Sequence, residues 1–232
     1  MRVWQKLALG VVFALAASSL AAVPHIQAAA PLSYPTPTDA VATPYGSIGK
    51  WMIQPNGQIS NYGGQPYRGK TLLEAVNVIV VDPNSKSVIE SVAKVNWDMS
   101  LAGFPARPVH SGGFRGYIDG RLYSQQPGGL INAYSDNSFL VQNDHGRLFG
   151  PATATSSGYV YSGAFSTETP TIYNFLPAHA YVSSNAARDA VARRLVATGQ
   201  VQSVSIDMTN AYNTADTTTG DHDGSAAVII LK

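Results

Sequence analysis

Near the middle of the chain, three polar side chains of complementary chemistry stand at alternate positions: Asn143, His145 and Arg147. Arginine can hold a carboxylate or a phosphate through paired hydrogen bonds, and histidine can move a proton near neutral pH. Because successive side chains of an extended chain point to opposite faces, these three would emerge side by side. The pattern predicts a positively charged pocket that binds a small anionic or polar ligand.

The stretch 139–151 is expected to position this group as a strand. Its first residues are apolar, so Phe139 and Val141 would share the face of the polar group and anchor that end in the core. The pair Gly150-Pro151 is expected to end the strand. Asp144 points to the opposite face of an ideal strand, so it joins the site only if the strand is bulged.

Two more ionisable residues are candidates for the same site. Glu168 follows the next predicted strand and could form an acid/base pair with His145, or it could be a solvated loop residue. His110 precedes a glycine-rich loop and could supply a second imidazole, or it lies in a surface turn. Arg147 could also pair with a nearby aspartate such as Asp136 and only tie loops together. Three residues of the irregular middle region are expected to lie close to the cleft: Tyr117, Gln125 and Tyr134.

The sequence indicates neither a metal site nor a cofactor. The run Thr219–Gly224 contains aspartates and a histidine, but it lacks the glutamate and further oxygen ligands of a calcium loop, and we interpret it as a turn. The absence of cysteine excludes disulfides, thiolate chemistry and lipoprotein acylation. Nucleophile-elbow, phosphate-loop, dinucleotide and zinc-protease motifs do not occur either.

The first residues have the features of a secretory signal peptide. Arg2 and Lys6 precede the largely apolar run Leu7–Val23, and small residues follow it. The run is shorter than the roughly 20 apolar residues of a transmembrane helix. We therefore expect a signal peptide at 1–28, no membrane span after its cleavage, and a secreted or periplasmic location.

Charge and length limit the class of protein. The chain has 15 Lys and Arg against 14 Asp and Glu, and loss of residues 1–28 leaves 13 against 14. Such a nearly neutral chain has no electrostatic basis for binding nucleic acid or an anionic membrane surface. The remaining length suits one domain. We expect a Pro- and Gly-rich, partly disordered arm at 29–64 and a single folded domain at 65–232.

The domain is predicted to be a single-domain mixed α/β sandwich with a mixed sheet and two main helices. A β-branched run predicts a strand covered on both faces, and capping residues with apolar periodicity predict the helices. In the first helix, capped by Ser87, Val88 and Ile89 are expected to face inward with Val92 and Val95. In the second helix, which Ser184 or Asn185 could cap, the residues expected to face inward are Ala187, Ala190, Val191 and Leu195.

Beyond the stretch at 139–151, the predicted elements are strands 75–82, 158–166, 201–208 and 226–231 and helices 88–96 and 186–198. Strand 158–166 is expected to pair antiparallel with the stretch at 139–151 across a short loop.

The order of these elements, with His145 and Arg147 two positions apart near a strand end, resembles the LssY C-terminal domain family over roughly residues 65–232. Members of that family typically have a bulky apolar residue where this chain has Gly146. The family comprises soluble domains found alone or attached to membrane-embedded segments similar to phosphatidic acid phosphatases and DedA proteins, and its activity is not established. The resemblance implies a fold and a placement in the cell envelope rather than a chemistry.

Three functions are compatible with these features. The first is an exported domain that binds a small anionic or polar cell-envelope ligand through Asn143, His145 and Arg147. The second is a hydrolase with His145 as general acid or base and Arg147 as anion clamp, in which Glu168 or Asp144 orients the imidazole. The third is a structural or partner-binding envelope protein whose polar cluster only stabilises the fold.

Overall fold

Strands dominate the architecture. The computed structural model describes residues 33–108, 111–130, 132–154 and 158–232, and this part of the chain contains two α-helices, a short 3-10 helix (Tyr62–Gly64) and fifteen strands. The α-helices are α1 (Val88–Leu101) and α2 (Ser184–Ala197). The strands are β1 (Ala40–Thr43), β2 (Gly46–Gly49), β3 (Thr71–Leu72), β4 (Val78–Asp82), β5 (Ala106–Pro108), β6 (Arg115–Ile118), β7 (Arg121–Gln126), β8 (Asn132–Ser135), β9 (Asn143–Ala154), β10 (Gly158–Tyr173), β11 (Leu176–Ser183), β12 (Val201–Gln202), β13 (Ile206–Asp207), β14 (Thr217–Thr218) and β15 (Ser225–Ile230).

Thirteen of the described strands belong to one sheet, and β3 and β14 form a separate parallel pair. The main path of the sheet runs β1-β2-β6-β7-β9-β10-β4-β15-β12, and β11 pairs with β10 beside this path. The sheet is mixed because β15 is parallel to β4, whereas β10 is antiparallel to β4. The mixed sheet and the two helices agree with the prediction. The sheet is strongly curled, however, so the predicted sandwich is not cleanly formed.

The central strand β4 is buried on both faces, as its β-branched run predicted. Val78 and Val80 belong to a hydrophobic cluster that includes the buried residues of α1 and α2. Ile79 and Val81 belong to a second cluster, to which β2 and β6 contribute. The curl of the sheet therefore covers the face of β4 that the helices do not cover.

Within the described residues, no helix is long and apolar enough to cross a membrane.

The strand that carries the predicted site differs from the expectation at both ends. Residues 139–142 lie in a turn and a bend before the strand, where Val141 is exposed and Phe139 is half-buried in the cavity wall instead of anchoring a strand in the core. The pair Gly150-Pro151 does not end β9, because it lies opposite the single residue Tyr161 of β10 in a shifted register. Such a bulge needs no ladder hydrogen bond from the proline nitrogen. The predicted antiparallel pairing of this strand with the next one is confirmed.

Helix α1 is longer than predicted and faces the core through only part of the predicted stripe. Ser87 caps it as expected, but the helix continues past residue 96. Val95 is buried as predicted, whereas Val88 and Ile89 do not face inward, since 50% and 82% of their surfaces are exposed. The hydroxyl of Ser91 contacts that of Tyr161 at 2.9 Å inside the core. A search for apolar periodicity misses this side of the helix, because it includes polar residues. The buried residues of α1 are Ser91, Val95, Asp98 and Met99.

The C-terminal elements follow the prediction more closely. The cap of α2 is Ser183 instead of Ser184 or Asn185, the two predicted caps, and its hydroxyl accepts the N–H of Ala186. The residues predicted to face inward are all buried: Ala187, Ala190, Val191 and Leu195. The predicted strand 201–208 is divided into β12 and β13, which both pair with β15. The predicted last strand is β15.

The segment expected to be a partly disordered arm contributes to the main sheet from residue 40 onward. Strands β1 and β2 form a hairpin, and β2 pairs with β6 through Ile48 and Ile118. Residues 35–232 form one compact unit. The predicted signal peptide at 1–28 lies outside the described residues and stays a prediction.

A buried amide side chain allows β10 to change its partner strand. Asn77 precedes β4, and its side chain is bonded to both backbone groups of Phe165: Oδ1 accepts the N–H at 3.0 Å and Nδ2 donates to the carbonyl at 2.8 Å. The same Nδ2 donates to the carbonyl of Ser184, just after β11, at 3.2 Å. Pairing of β10 with β4 ends at Gly163, and pairing with β11 begins at Thr167. Asn77 therefore fills the gap in the hydrogen-bond ladder between these two partners.

We expect Asn77→Ala to lower the free energy of unfolding by about 3 kcal/mol, because it leaves the N–H and C=O of buried Phe165 without their partner. Urea unfolding followed by circular dichroism measures the change. The matched control is Asn84→Ala at an exposed position, which we expect to change the stability by less than about 0.5 kcal/mol. Equal effects of the two substitutions would show that Asn77 does not hold the strand junction.

Candidate functional site

A cavity of about 350 Å³ is bordered by β9, β10 and β11 and by the segments around Tyr62 and Phe114. His145, Arg147 and Glu168, which were singled out in the sequence, all line it. His145 and Arg147 lie on one face of β9, as the strand periodicity predicted, and Glu168 reaches them from β10. The acidic and basic side chains in the cavity wall are Glu74, His145, Arg147, Glu168 and His179.

Hydrogen bonds determine which nitrogen of His145 carries the proton. The Nδ2 of Asn143 donates to the carbonyls of Ser138 and Val141 at 3.2 and 3.0 Å, so the Oδ1 of Asn143 faces the imidazole. This Oδ1 lies 2.7 Å from Nδ1 of His145 and can only accept, so Nδ1 is protonated. The other ring nitrogen, Nε2, lies 3.5 Å from Oε1 of Glu168. Asn143 therefore orients the histidine from behind and is not part of the cavity lining.

Glu168 lies between two imidazoles. Its Oε2 is 3.6 Å from Nδ1 of His179, and its Oε1 accepts a 2.6 Å hydrogen bond from the hydroxyl of Ser166. The Nε2 of His179 is bonded to the backbone carbonyl of Phe139. Glu168 is 6% exposed and His145 is 7% exposed, so both groups are largely removed from solvent.

The three groups have shifted pKa values. Burial opposes the ionisation of Glu168, yet His145, His179 and the Ser166 hydroxyl outweigh this effect and lower its pKa. Burial lowers the pKa of His145, although Glu168 opposes the shift. Burial also disfavours protonation of His179, but the contacts with Glu168 and the Phe139 carbonyl prevail and raise its pKa. At neutral pH the cluster thus contains a carboxylate, a neutral imidazole and a more basic imidazole.

Arg147 is a buried cation with few partners. Its Nη2 donates to the carbonyl of Ser111 at 2.6 Å, and its guanidinium lies 4.6 Å from the ring centre of Phe114. Among the described residues, Nε has no hydrogen-bond partner and no carboxylate lies within 4.0 Å of the guanidinium. Asp136, a candidate partner in the sequence, pairs with Arg194 at 3.1 Å. Arg147 is therefore not paired with Asp136, although its hydrogen bond to Ser111 joins β9 to the segment before β6.

Glu74 is a lining residue that the sequence did not indicate. Its Oε1 accepts hydrogen bonds from the hydroxyl of Ser60 at 2.7 Å and from the backbone N–H of Tyr62 at 3.2 Å. Burial raises the pKa of Glu74 to about 7, and the charge of Glu168 acts in the same direction. Its charge therefore changes in the physiological pH range.

Four residues that were predicted to be close to the ligand lie elsewhere. Gln125 donates to three backbone carbonyls and accepts from the N–H of Phe114, so it holds loops together. The hydroxyl of Tyr134 donates to Asn96 of α1 at 2.7 Å, on the helix side of the sheet. Tyr117 packs against the cluster that contains Trp51. None of the three lines the cavity.

Asp144 is the fourth of these residues. It points away from the cavity, because the strand is not bulged at this point, and it accepts a hydrogen bond from the hydroxyl of Thr167, its cross-strand neighbour. His110 lies outside the described residues, so its role stays a prediction. The neighbouring Ser111 does line the cavity and accepts from Arg147.

Sequence reasoning missed His179 because it missed β11. The two residues that connect β10 to β11, Asn174 and Phe175, both have positive φ, at 50° and 63°. A tight hairpin of this kind usually has glycine at its second turn position, and Phe175 gives no such signal. The alternation of His179, Tyr181 and Ser183 was the only available indication of a strand.

The run Thr219–Gly224 is a turn, as predicted. Asp221 accepts hydrogen bonds from Tyr181 and from the backbone N–H of Ser184, and Asp223 pairs with Arg188 at 2.6 Å. Both aspartates are therefore used in joining this turn to the start of α2 and to β11.

No family model, curated protein or solved structure matches this chain. The resemblance to the LssY C-terminal domain family stays a prediction, and the function has to be inferred from the site itself.

Gly146 separates His145 from Arg147, and the structure leaves no space for a side chain there. A Cβ at this position would lie 2.3 Å from the carbonyl oxygen of Ala164 and 2.4 Å from the ring of Phe165. We expect Gly146→Ala to lower the free energy of unfolding by about 2–4 kcal/mol, because the backbone of β9 or β10 must move to make room for the methyl group. Urea unfolding measures this change. The control is Gly128→Ala, where a Cβ meets nothing within 4 Å. If Gly146→Ala lowers the free energy of unfolding no more than Gly128→Ala does, the close contact of Gly146 with β10 would be contradicted.

Glu74 should make stability depend on pH. The folded state keeps its proton up to about pH 7, whereas the usual pKa is 4.5, so the folded state binds more protons between these values. Stability is therefore lost as pH rises through this interval. We expect the free energy of unfolding between pH 5 and pH 8 to fall by about 2 kcal/mol more in the native protein than in Glu74→Gln. Exposed Glu90→Gln is the control, and identical pH profiles for native protein and Glu74→Gln would refute the shift.

Proposed function

We propose that this protein is an exported binding protein for a small ligand that carries a carboxylate or phosphate group, held in the cavity by Arg147. The observation that carries the proposal is the state of this side chain: 5% exposed, lining a cavity, and without a carboxylate within 4.0 Å among the described residues. Export and placement in the cell envelope rest on the N-terminal sequence and on the family resemblance.

Desolvation explains why Arg147 favours an anion. Burying a cation costs several kcal/mol unless a counter-charge or hydrogen bonds compensate for the lost water. The Ser111 carbonyl and the Phe114 ring compensate in part. Glu74 and Glu168 lie farther from the guanidinium and are engaged with other partners. A planar carboxylate or a phosphate would complete the hydrogen bonding of the guanidinium in paired geometry.

The remaining wall of the cavity indicates what else the ligand contains. Apolar side chains from the start of β11 and from the turn before β9 also line the cavity: Phe139, Leu176, Pro177 and Ala178. A volume of about 350 Å³ lies at the small end of ligand sites in proteins. The ligand class is therefore a small molecule with an acidic group and an apolar portion.

A hydrolase is the second candidate, and the His145–Glu168 pair is the observation that favours it. A neutral imidazole whose tautomer is fixed by Asn143 can accept a proton, and Arg147 can stabilise negative charge that develops nearby. The hydrogen bond from His145 supports Asn143 in the orienting role, for which Glu168 and Asp144 were the candidates in the sequence. Turnover of p-nitrophenyl phosphate or p-nitrophenyl acetate that is lost in His145→Asn would favour this candidate over binding alone.

Replacement of Arg147 tests the binding proposal. We expect sodium phosphate or sodium acetate, at constant ionic strength, to raise the Tm of the native protein by several degrees, because the ligand binds only the folded state. In Arg147→Met this rise should disappear, while the Tm without ligand stays within a few degrees or increases, since an incompletely paired buried cation has been removed. The measurement is differential scanning fluorimetry, with titration calorimetry for the affinity.

The matched control is Arg121→Met, which removes an arginine from an exposed position of β7. It should respond to both anions like the native protein. Stabilisation that persists in Arg147→Met would place the anion elsewhere. If Arg147→Met and His145→Asn both unfold the protein, the third interpretation, in which the cluster is structural, would be favoured.

A further inference from the structure

We propose that His145, Glu168 and His179 form a binding site for one divalent transition-metal ion of the zinc class. The ligand atoms would be Nε2 of His145, a carboxylate oxygen of Glu168 and Nδ1 of His179. This goes beyond the proposed anion site, because it uses different side chains and does not depend on Arg147. It also departs from the expectation of no metal that the sequence suggested.

The spacing of these atoms fits a shared ion. One atom from each residue lies within 4.8 Å of the others, and the two imidazole nitrogens lie 3.5 and 3.6 Å from the carboxylate oxygens. Two ligands at about 2.1 Å from a tetrahedral zinc ion are separated by roughly 3.4 Å. The distances of 3.5 Å to Oε1 and 3.6 Å to Oε2 are close to that value, and the remaining separation, between the two imidazoles, is within 4.8 Å.

The hydrogen bonds behind the ligands have the form that metal sites use. A metal-bound histidine almost always donates its other ring N–H to a carboxylate, a carbonyl or a water, which fixes the tautomer and the ring plane. His145 donates from Nδ1 to the amide oxygen of Asn143, and His179 donates from Nε2 to the carbonyl of Phe139. In the neutral rings the lone pairs are thus on the two nitrogens that face Glu168. The hydroxyl of Ser166 orients the carboxylate in turn.

The backbone holds the three ligands on adjacent strands. His145 comes from β9, Glu168 from β10 and His179 from β11, and these strands are hydrogen-bonded side by side. Such a support keeps ligand positions more constant than loops do. All three residues line the cavity that contains Arg147. An ion held by three protein ligands keeps a coordination position for water or for an anionic ligand, as catalytic zinc sites do.

The ligand types select the class of metal. Two imidazoles with one carboxylate suit zinc, cobalt, nickel or ferrous iron. Calcium and magnesium prefer six or more oxygen ligands, which this cluster does not offer.

Metal titration of the signal-free protein tests the proposal. After treatment with EDTA and dialysis, we expect titration calorimetry to show one zinc ion bound per chain. With cobalt chloride we expect visible absorption bands of the intensity typical of four-coordinate cobalt(II). Glu168→Gln and His179→Asn should each weaken zinc binding by a factor of at least about 10 to 100. The control is His222→Gln, which removes another buried histidine, bonded to Asn210, and should leave zinc binding unchanged.

The outcomes separate this proposal from the anion site. If the native protein does not bind zinc and cobalt in a one-to-one ratio, the metal-site proposal is overturned, and the three residues form only a hydrogen-bonded group. This measurement does not depend on the folding of any variant. Equal zinc affinity of Glu168→Gln, His179→Asn and native protein also overturns it. Phosphate binding measured in EDTA reports on Arg147 alone, so loss of the anion site and loss of the metal site are read independently.

Discussion

The hydrogen bonds between Asn77 and Phe165 are the constraint on which the geometry of the site depends. A buried strand cannot leave one partner and join another without exposing backbone groups in the core, and the amide of Asn77 supplies both missing bonds. Because of this junction, β10 continues beyond β4 and carries Ser166 and Glu168 into the cavity. The same amide also contacts the backbone just after β11, the strand that brings His179 to the opposite side of Glu168.

Several ionisable side chains line the cavity and are not part of the hydrophobic core. The two hydrophobic clusters around β4 do not include them, whereas Glu168, His145 and Arg147 lie together in the wall of the cavity. Their desolvation is only partly compensated, chiefly at Arg147. Such groups cluster at functional sites, where an ion or an anion can supply the missing interactions. The proposed metal and the proposed anion would share one space, with opposite charges that stabilise each other.

The fold itself could be predicted from the sequence only where local pattern is decisive. The two-sided burial of β4 follows from its uninterrupted β-branched run, and the inward face of α2 follows from its periodicity. The inward face of α1 was predicted correctly at Val95 but wrongly at Val88 and Ile89, because its buried row includes the polar residues Ser91 and Asp98. The end of β9 was predicted wrongly as well, because a register shift at Gly150-Pro151 accommodates residues that normally stop a strand.

For the site, local sequence was enough to predict that His145 and Arg147 share a face, since alternation along an extended chain is a local property. The sequence also indicated Glu168, at the end of the paired strand. The tertiary structure was needed to show that Glu74 and His179 line the same cavity and that Asn143 supports the histidine from behind. It was also needed to show that Gln125 and Tyr134 hold other parts of the fold together. These residues are far apart in the chain, and they come together through the register of the strands and through a hairpin without glycine. Neither feature can be predicted from composition and residue spacing.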